Sequence, residues 1–180
     1  MRNTRWLILP AVLMVFSCAS VAQRESGTIR VVERVDLDRY VGMWYEIARL
    51  PNSFEKGLVC TTATYAVKND GKVSVVNEGR KGSREGQVSR AVGTAWVIDP
   101  AEPGKLKVSF FWPFASDYWV IALDEDEYRF AMVAGSGRKF LWILSREPVM
   151  EDGLYDELVE SARMMGFNTG SLYKVPQVCD

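Results

Sequence analysis

The 180-residue chain contains no histidine. That absence removes Ser–His and Cys–His nucleophilic systems, the commonest general base, the commonest metal ligand and histidine-ligated haem. The three cysteines, Cys18, Cys60 and Cys179, lie far apart and lack zinc-ligand spacing. No glycine-rich phosphate loop follows a strand and opens a helix. The remaining reactive groups are carboxylates, densest at Asp124, Glu125, Asp126 and Glu127. Acids crowded between two apolar runs read as a solvated hairpin turn before they read as a paired acid–base site. The chemistry on offer is recognition rather than bond-breaking, with no enzyme activity, metal or cofactor expected.

What Cys18 does depends on what precedes it. Arg2 and Arg5 give a positive start, residues 6–16 are apolar, and Ser17 stands before the cysteine. This is signal-peptide order, and the apolar run is well short of the roughly 20 residues a spanning helix needs. Val15-Phe16-Ser17-Cys18 resembles the lipobox of bacterial lipoproteins, although Phe16 is unusual in it. The resemblance implies removal of residues 1–17 and acylation of Cys18. The alternative is plain secretion, with cleavage nearer Ala19 or Ala22. Ala19, where inner-membrane-retained lipoproteins usually carry Asp, implies an outer-membrane address. Residues 18–31 then form the lipidated cysteine and a polar tether, and residues 32–180 the domain.

About 160 residues make one ordinary domain with a real core. Without Arg2 and Arg5 the chain carries 20 basic against 23 acidic residues, a net −3. No clustered basic face suggests a nucleic-acid partner. Cys60 and Cys179 form an even pair, which in an oxidising compartment reads as a disulfide; two buried free thiols are the alternative.

The elements that must position any site are short. Apolar or alternating runs occupy 44–50, 60–67, 72–77, 88–98, 106–111, 118–123, 128–134 and 140–144, with Gly, Pro, Asn and Asp between them, including a turn at 79–82. Eight strands joined without intervening helices suggest an all-β, antiparallel up-and-down barrel. Over 153–165 the period changes, placing Leu154, Leu158, Ala162 and Met165 on one stripe, with Asp152 as a cap and Gly166 as a stop. One C-terminal helix therefore packs outside the barrel, and a short strand over 171–175 ends the fold. Lys105 and Lys107 belong to water, which turns Leu106, Val108 and Phe110 inward. The face with Ala91, Gly93, Ala95 and Val97 is small, so a barrel with that face inside is partly hollow and has room for one ligand.

Residues 42–49, Gly-Met-Trp-Tyr-Glu-Ile-Ala-Arg, resemble the first signature of the lipocalins. The acidic turn from Asp124 to Tyr128 and the segment Leu-Trp-Ile-Leu-Ser-Arg ending at Arg146 resemble the second and third. Within the family the wording is similar to bacterial outer-membrane lipocalins and, among vertebrate proteins, to apolipoprotein D. The resemblance implies that Gly42, Trp44, Asp124 and Arg146 are structural, with the Arg146 guanidinium over the Trp44 indole at the barrel floor. Cys60 and Cys179 also fall where such proteins join the second strand to the C-terminal tail. Glu46 shares the parity of Trp44, and either a paired buried carboxylate or a bulge turning it outward accounts for it.

Carried strand by strand, the family pattern points Ala63, Tyr65, Val75, Asn77, Tyr118, Val120, Ala131 and Val133 into the lumen. Phe140, Trp142 and Leu144 share the inward face of Arg146. Together with Ala95, Val108 and Phe110 these side chains make an apolar, aromatic lining, with a ligand's polar head expected near the rim beside Tyr65, Asn77 or Tyr118. Phe54 and the run Phe111, Trp112, Pro113 and Phe114 suit a mouth, a membrane contact or a homodimer patch; the bland reading is a loop folded onto the barrel. The resemblance implies a fatty acid or lysophospholipid as partner. A filled structural barrel, and a lipocalin-type enzyme using a lumenal Cys60 or carboxylates, are the rival readings.

Overall fold

The computed structural model describes residues 27–179; the expected signal peptide over 1–17 and Cys18 lie outside the described residues. Eight antiparallel strands run β1 (Gly42–Arg49), β2 (Leu58–Val67), β3 (Val73–Lys81), β4 (Val88–Val97), β5 (Lys105–Phe111), β6 (Phe114–Leu123), β7 (Phe130–Ala134) and β8 (Leu141–Ser145). Each pairs with the next, and β1 closes the barrel by pairing with both β2 and β8. A two-residue β9 (Tyr173–Lys174) adds to the upper end of β1.

The two-residue period of the strands divides the apolar side chains between two cores. Trp44, Tyr65, Val75, Val108, Val133 and Leu144 belong to the lumenal cluster. Met132, Ala134, Leu141 and Ile143 belong to an outer one, covered by the helix α2 (Asp152–Met164) through Tyr155, Leu158 and Ala162. The expected helix is thus present, shifted by one residue. Glu151 is its N-cap and makes no side-chain cap bond, so Asp152 opens the helix rather than capping it. Gly166, at φ +86°, ends it, with Phe167 N–H returning to Ala162 O.

Three local features depart from the sequence reading. The strand β3 runs on to Lys81, into the turn expected at 79–82. Gly79 serves close approach there: a Cβ at that position would sit 2.6 Å from Thr61 Cγ2. Residues 29 and 31, assigned to the tether, pack against the outer cluster, and Val32 N–H bonds Val120 O. A one-turn helix α1 (Leu37–Tyr40) follows, its first amides capped by Asp36 Oδ1, which accepts from Asp38 and Arg39 N–H.

That turn ends on the floor of the barrel. The Trp44 indole is fully buried and donates to Tyr40 O at 2.8 Å. Arg146 lies over it with Cζ 3.8 Å from the ring centroid. Its guanidinium donates to Arg39 O, Tyr40 O, Val41 O, Met43 O and Tyr128 O at 2.8–3.2 Å. Gly42 makes this possible: its φ is +95°, and a Cβ there would press to 3.2 Å from Arg146 Nη1. Asp124 holds the adjoining turn, bonding Arg129 Nε at 2.7 Å and accepting from the Glu127 and Arg129 amides. Cys60 in β2 and Cys179 in the C-terminal tail are joined as a disulfide, Cα atoms 5.8 Å apart.

Replacing Arg146 with Met strands several carbonyls without a donor and should cost about 2–3 kcal/mol, with Lys restoring only part. Urea unfolding followed by tryptophan fluorescence measures this; an unchanged midpoint contradicts the assigned role. Removing the Cys60–Cys179 bridge, which closes 119 residues, should cost roughly 2–5 kcal/mol. The wild-type midpoint should then fall with reductant, while that of a Cys60→Ala/Cys179→Ala variant does not move.

Candidate functional site

Above the floor the barrel holds a cavity of about 320 Å³. Its size follows from the small side chains of β4 on one wall, where Ala91 leaves space and the Phe110 ring lies across Gly93. Ala63, Tyr65, Val75, Asn77, Val108, Phe110, Tyr118 and Trp142 all line it. Ala95 and Val120 do not. They belong below, packed with Val35, Leu37 and Tyr40 against the closed end. The physical reason is that residues 32–41 fold up beneath the barrel and raise its floor above those two positions.

Tyr65 and Tyr118 also lie deeper than expected. Tyr118 donates to Tyr65 at 2.9 Å, and its oxygen lies 2.8 Å from the Tyr40 hydroxyl. The three hydroxyls thus form a chain rooted at the floor, and burial raises the pKa of each. The Tyr40 ring packs edge-on to Tyr65, with centroids 5.4 Å apart. These groups therefore do not mark the rim. The rim is aromatic, with Phe54, Phe111 and Phe140 around it, and Phe140 stacks on Trp142 at 5.8 Å.

Midway up stands the one charged group of the lining whose orientation the sequence left open. Glu46 is buried at 5% exposure, faces the cavity and accepts from Arg49 Nη1 at 2.7 Å. The bulge exists, but between Glu46 and Ala48. It leaves Glu46 inward and sends Ile47 and Ala48 both to the outer core. Arg49 also donates to Glu55 O and Leu58 O at 2.8 Å. It thereby ties the loop 50–57 to the barrel wall.

Glu55, missed in the sequence reading, is folded into that loop and buried. Its carboxylate accepts from Trp142 Nε1 at 3.0 Å and from Asn52 Nδ2, while Asn52 Oδ1 accepts from Glu55 N–H at 2.8 Å. The bond from Glu55 N–H to Asn52 Oδ1 is half of a capping box, while the Glu55 carboxylate returns to the Asn52 side-chain amide rather than to its backbone N–H; the Asn-x-x-Glu spacing was the available signal. The Asn77 Oδ1, buried, is the one such side-chain atom among the described residues without a hydrogen-bond partner. No group of three acidic or thiol ligands able to hold a metal occurs among the described residues.

Burial, with Glu55 adding and Arg49 opposing, pushes the Glu46 carboxyl from its ordinary 4.5 up to about 8. The folded protein therefore holds a proton that the unfolded chain gives up. The stability so contributed is complete below about pH 4.5 and is lost as pH rises through about 8. Thermal melting of the wild type should fall across that window relative to Glu46→Gln. Parallel profiles for the two proteins contradict this linkage.

Residues 35–177 match the family described as lipocalin-like domain. The chain is 42% identical to outer membrane lipoprotein Blc of Vibrio cholerae over 150 residues, covering 83% of this chain and 87% of that protein. It is 35% identical to apolipoprotein D of Bos taurus over 153 residues, covering 80% and 79%. Among solved structures, the cockroach allergen Per a 4 superposes with a TM-score of 0.63 at 25% identity, covering 83% of this chain and 92% of that one. The family match over residues 35–177 and the relatives at 42% and 35% identity show that the chain belongs to the lipocalin-like family, and the closed eight-stranded barrel with its outer C-terminal helix accords with them.

Proposed function

We propose that this lipocalin takes a single-chain lipid, a fatty acid or lysophospholipid, into its barrel at the surface of the outer membrane. The observation that carries the reading is the cavity of about 320 Å³ with its apolar and aromatic wall. That volume lies at the lower end of the roughly 300–1,000 Å³ of ligand pockets, a size suited to one narrow chain. Burial of an alkyl chain supplies about 25 cal/mol per Å² before the losses of association. Ala63, Tyr65, Val75, Val108, Phe110, Tyr118 and Trp142 are the proposed contacts. Asn77 Oδ1 offers an acceptor to a ligand hydroxyl, such as the free glycerol hydroxyl of a lysolipid.

The rival readings lose support on two observations. A filled structural barrel does not leave this much space above the floor. An enzyme built on a lumenal thiol needs Cys60 free, and Cys60 is bonded to Cys179. For location, we propose cleavage after residue 17, acylation of Cys18 and a tether from Cys18 to about Gly27. The lipobox supports this, as does the name of the Vibrio cholerae relative, an outer membrane lipoprotein. Acyl chains in the number bacterial lipoproteins carry hold a protein far more firmly than one chain does.

Native mass spectrometry of the chain from Ala19, mixed with oleate or lysophospholipid, should show a one-to-one adduct. Ala91→Trp, which fills the cavity from an exposed lumenal position, should weaken that adduct at least about tenfold, a loss on the order of 1.4 kcal/mol. A folded protein with no adduct, or an adduct indifferent to Ala91→Trp, rejects cavity binding. For the anchor, Cys18→Ser should abolish incorporation of labelled palmitate and release the protein from the membrane fraction. Retention of the label on the variant assigns acylation elsewhere.

A further inference from the structure

The two ends of the barrel differ in more than openness. The mouth is formed by the loops 50–57, 82–87, 112–113 and 135–140, and the floor by the loops 68–72, 98–104 and 124–129. At the mouth, Phe111, Trp112 and Phe114 are 81%, 84% and 77% exposed, and Phe54, which packs on Phe140, is 61% exposed. Three neighbouring bulky apolar side chains standing almost fully in water is an arrangement a soluble surface does not favour. The floor loops carry no such group apart from Ile98.

Charge divides the same way. The mouth loops carry Lys56, Arg84, Arg138 and Lys139 against Glu55 and Glu85, and Glu55 is buried. The floor loops carry seven acidic residues against three basic ones. One end is therefore aromatic and basic, and the other acidic. An anionic lipid surface attracts the first and repels the second.

The chain's own path agrees. Gly27 is held on the mouth side, where its carbonyl accepts from Arg138 of the loop 135–140 and its backbone packs on Met164 at the upper end of α2. From Gly27 the chain descends to the floor, reaching Val120 at Val32. Nine residue-to-residue steps lead from Cys18 to Gly27, a reach of about 30 Å when fully extended. The barrel strands of up to ten residues are about as long. With the floor against the membrane, the tether would have to be stretched along the whole barrel; with the mouth against it, the tether is slack.

We propose that the barrel stands mouth-down on the lipid surface, with Phe111, Trp112 and Phe114 seated among the headgroups and the basic rim against anionic lipid. Tryptophan suits that depth because its ring is apolar and its N–H polar. The aromatic tip runs directly into the cavity wall through Phe111 and Phe110, so an acyl chain passes between bilayer and barrel without crossing water. The tether argument rests on acylation of Cys18. The tip and the charge asymmetry do not.

The test uses the full lipidated chain in vesicles of phosphatidylethanolamine and phosphatidylglycerol, spin-labelled through Trp112→Cys or, at the floor, Asp70→Cys. Collisions with oxygen and with a water-soluble nickel chelate report depth. The label at 112 should favour oxygen and the label at 70 should favour nickel, and adding Phe111→Ser with Phe114→Ser should raise nickel access at 112 several-fold. Nickel access at 112 equal to that at 70 overturns the proposal. Dipolar broadening at 112 overturns it too, by showing that a second copy covers the tip. The mass of the chain reports the anchor separately. Should acyl groups be missing, the labelled chain is added to the same vesicles, and absence of binding or a water-exposed 112 overturns the tip's role on its own.

Discussion

The structure depends on one guanidinium. Arg146 closes the barrel by collecting carbonyls from the turn before β1, from β1 itself and from the entry to β7, while its face lies on the Trp44 indole. Arg39, Tyr40 and Val41 close a one-turn helix, whose last carbonyls have no donor within the helix and take theirs from Arg146. A lysine there supplies a point charge without the planar fork. Because the floor is fixed this way, the space above it need not be filled to keep the strands in place. Hollowness in the lumen is a consequence of rigidity at the base.

The upper half is held by different means. There the barrel lacks a continuous apolar filling, and polar groups take over. The Glu46–Arg49 pair ties β1 to the carbonyls of the loop 50–57, and Glu55 in that loop fixes the Trp142 indole. Gln177 Nε2 bonds Glu46 O and Thr61 O, pinning the C-terminal tail across the same strands. The disulfide then joins β2 to that tail. With its carboxyl protonated up to about pH 8, Glu46 accepts a hydrogen bond from Arg49 that adds little net stability, since burying the guanidinium offsets it. Its service here is positional: it sets which way Glu46 and the first mouth loop face.

Eight strands, the outer helix, the Gly-x-Trp and Arg146 latch and the Cys60–Cys179 bridge were legible because each rests on a local pattern or a motif. Depth was not. Alternation tells whether Ala95 or Val120 faces inward, but their height relative to the floor depends on residues 32–41 folding beneath the barrel, which no strand period encodes. The same limit placed Tyr65 and Tyr118 at the rim when they stand above Tyr40. Glu46 was undecidable by parity because the bulge that matters comes after it, between residues 46 and 48. Glu55 escaped notice because a carboxylate in a loop is ordinarily solvated, and only its Asn52 partner hints otherwise.

The cavity and its mouth impose opposite demands that the β5–β6 turn reconciles. A site for an apolar chain needs large aromatic side chains at its opening, so that the chain is shielded along its length. An opening that meets water needs polar ones. Phe111, Trp112 and Phe114 satisfy the first demand at the expense of the second: Phe111 and Phe114 pair at the strand ends and Trp112 sits in the two-residue turn between them, which is too short to fold back and hide them. A free-floating barrel with this tip carries an aggregation liability. Tethering the same barrel to a surface that welcomes aromatic groups turns the liability into an adhesive. With Cys18 acylated as proposed, anchor and tip are two parts of one constraint, because an apolar mouth is tolerable where the protein is kept beside lipid.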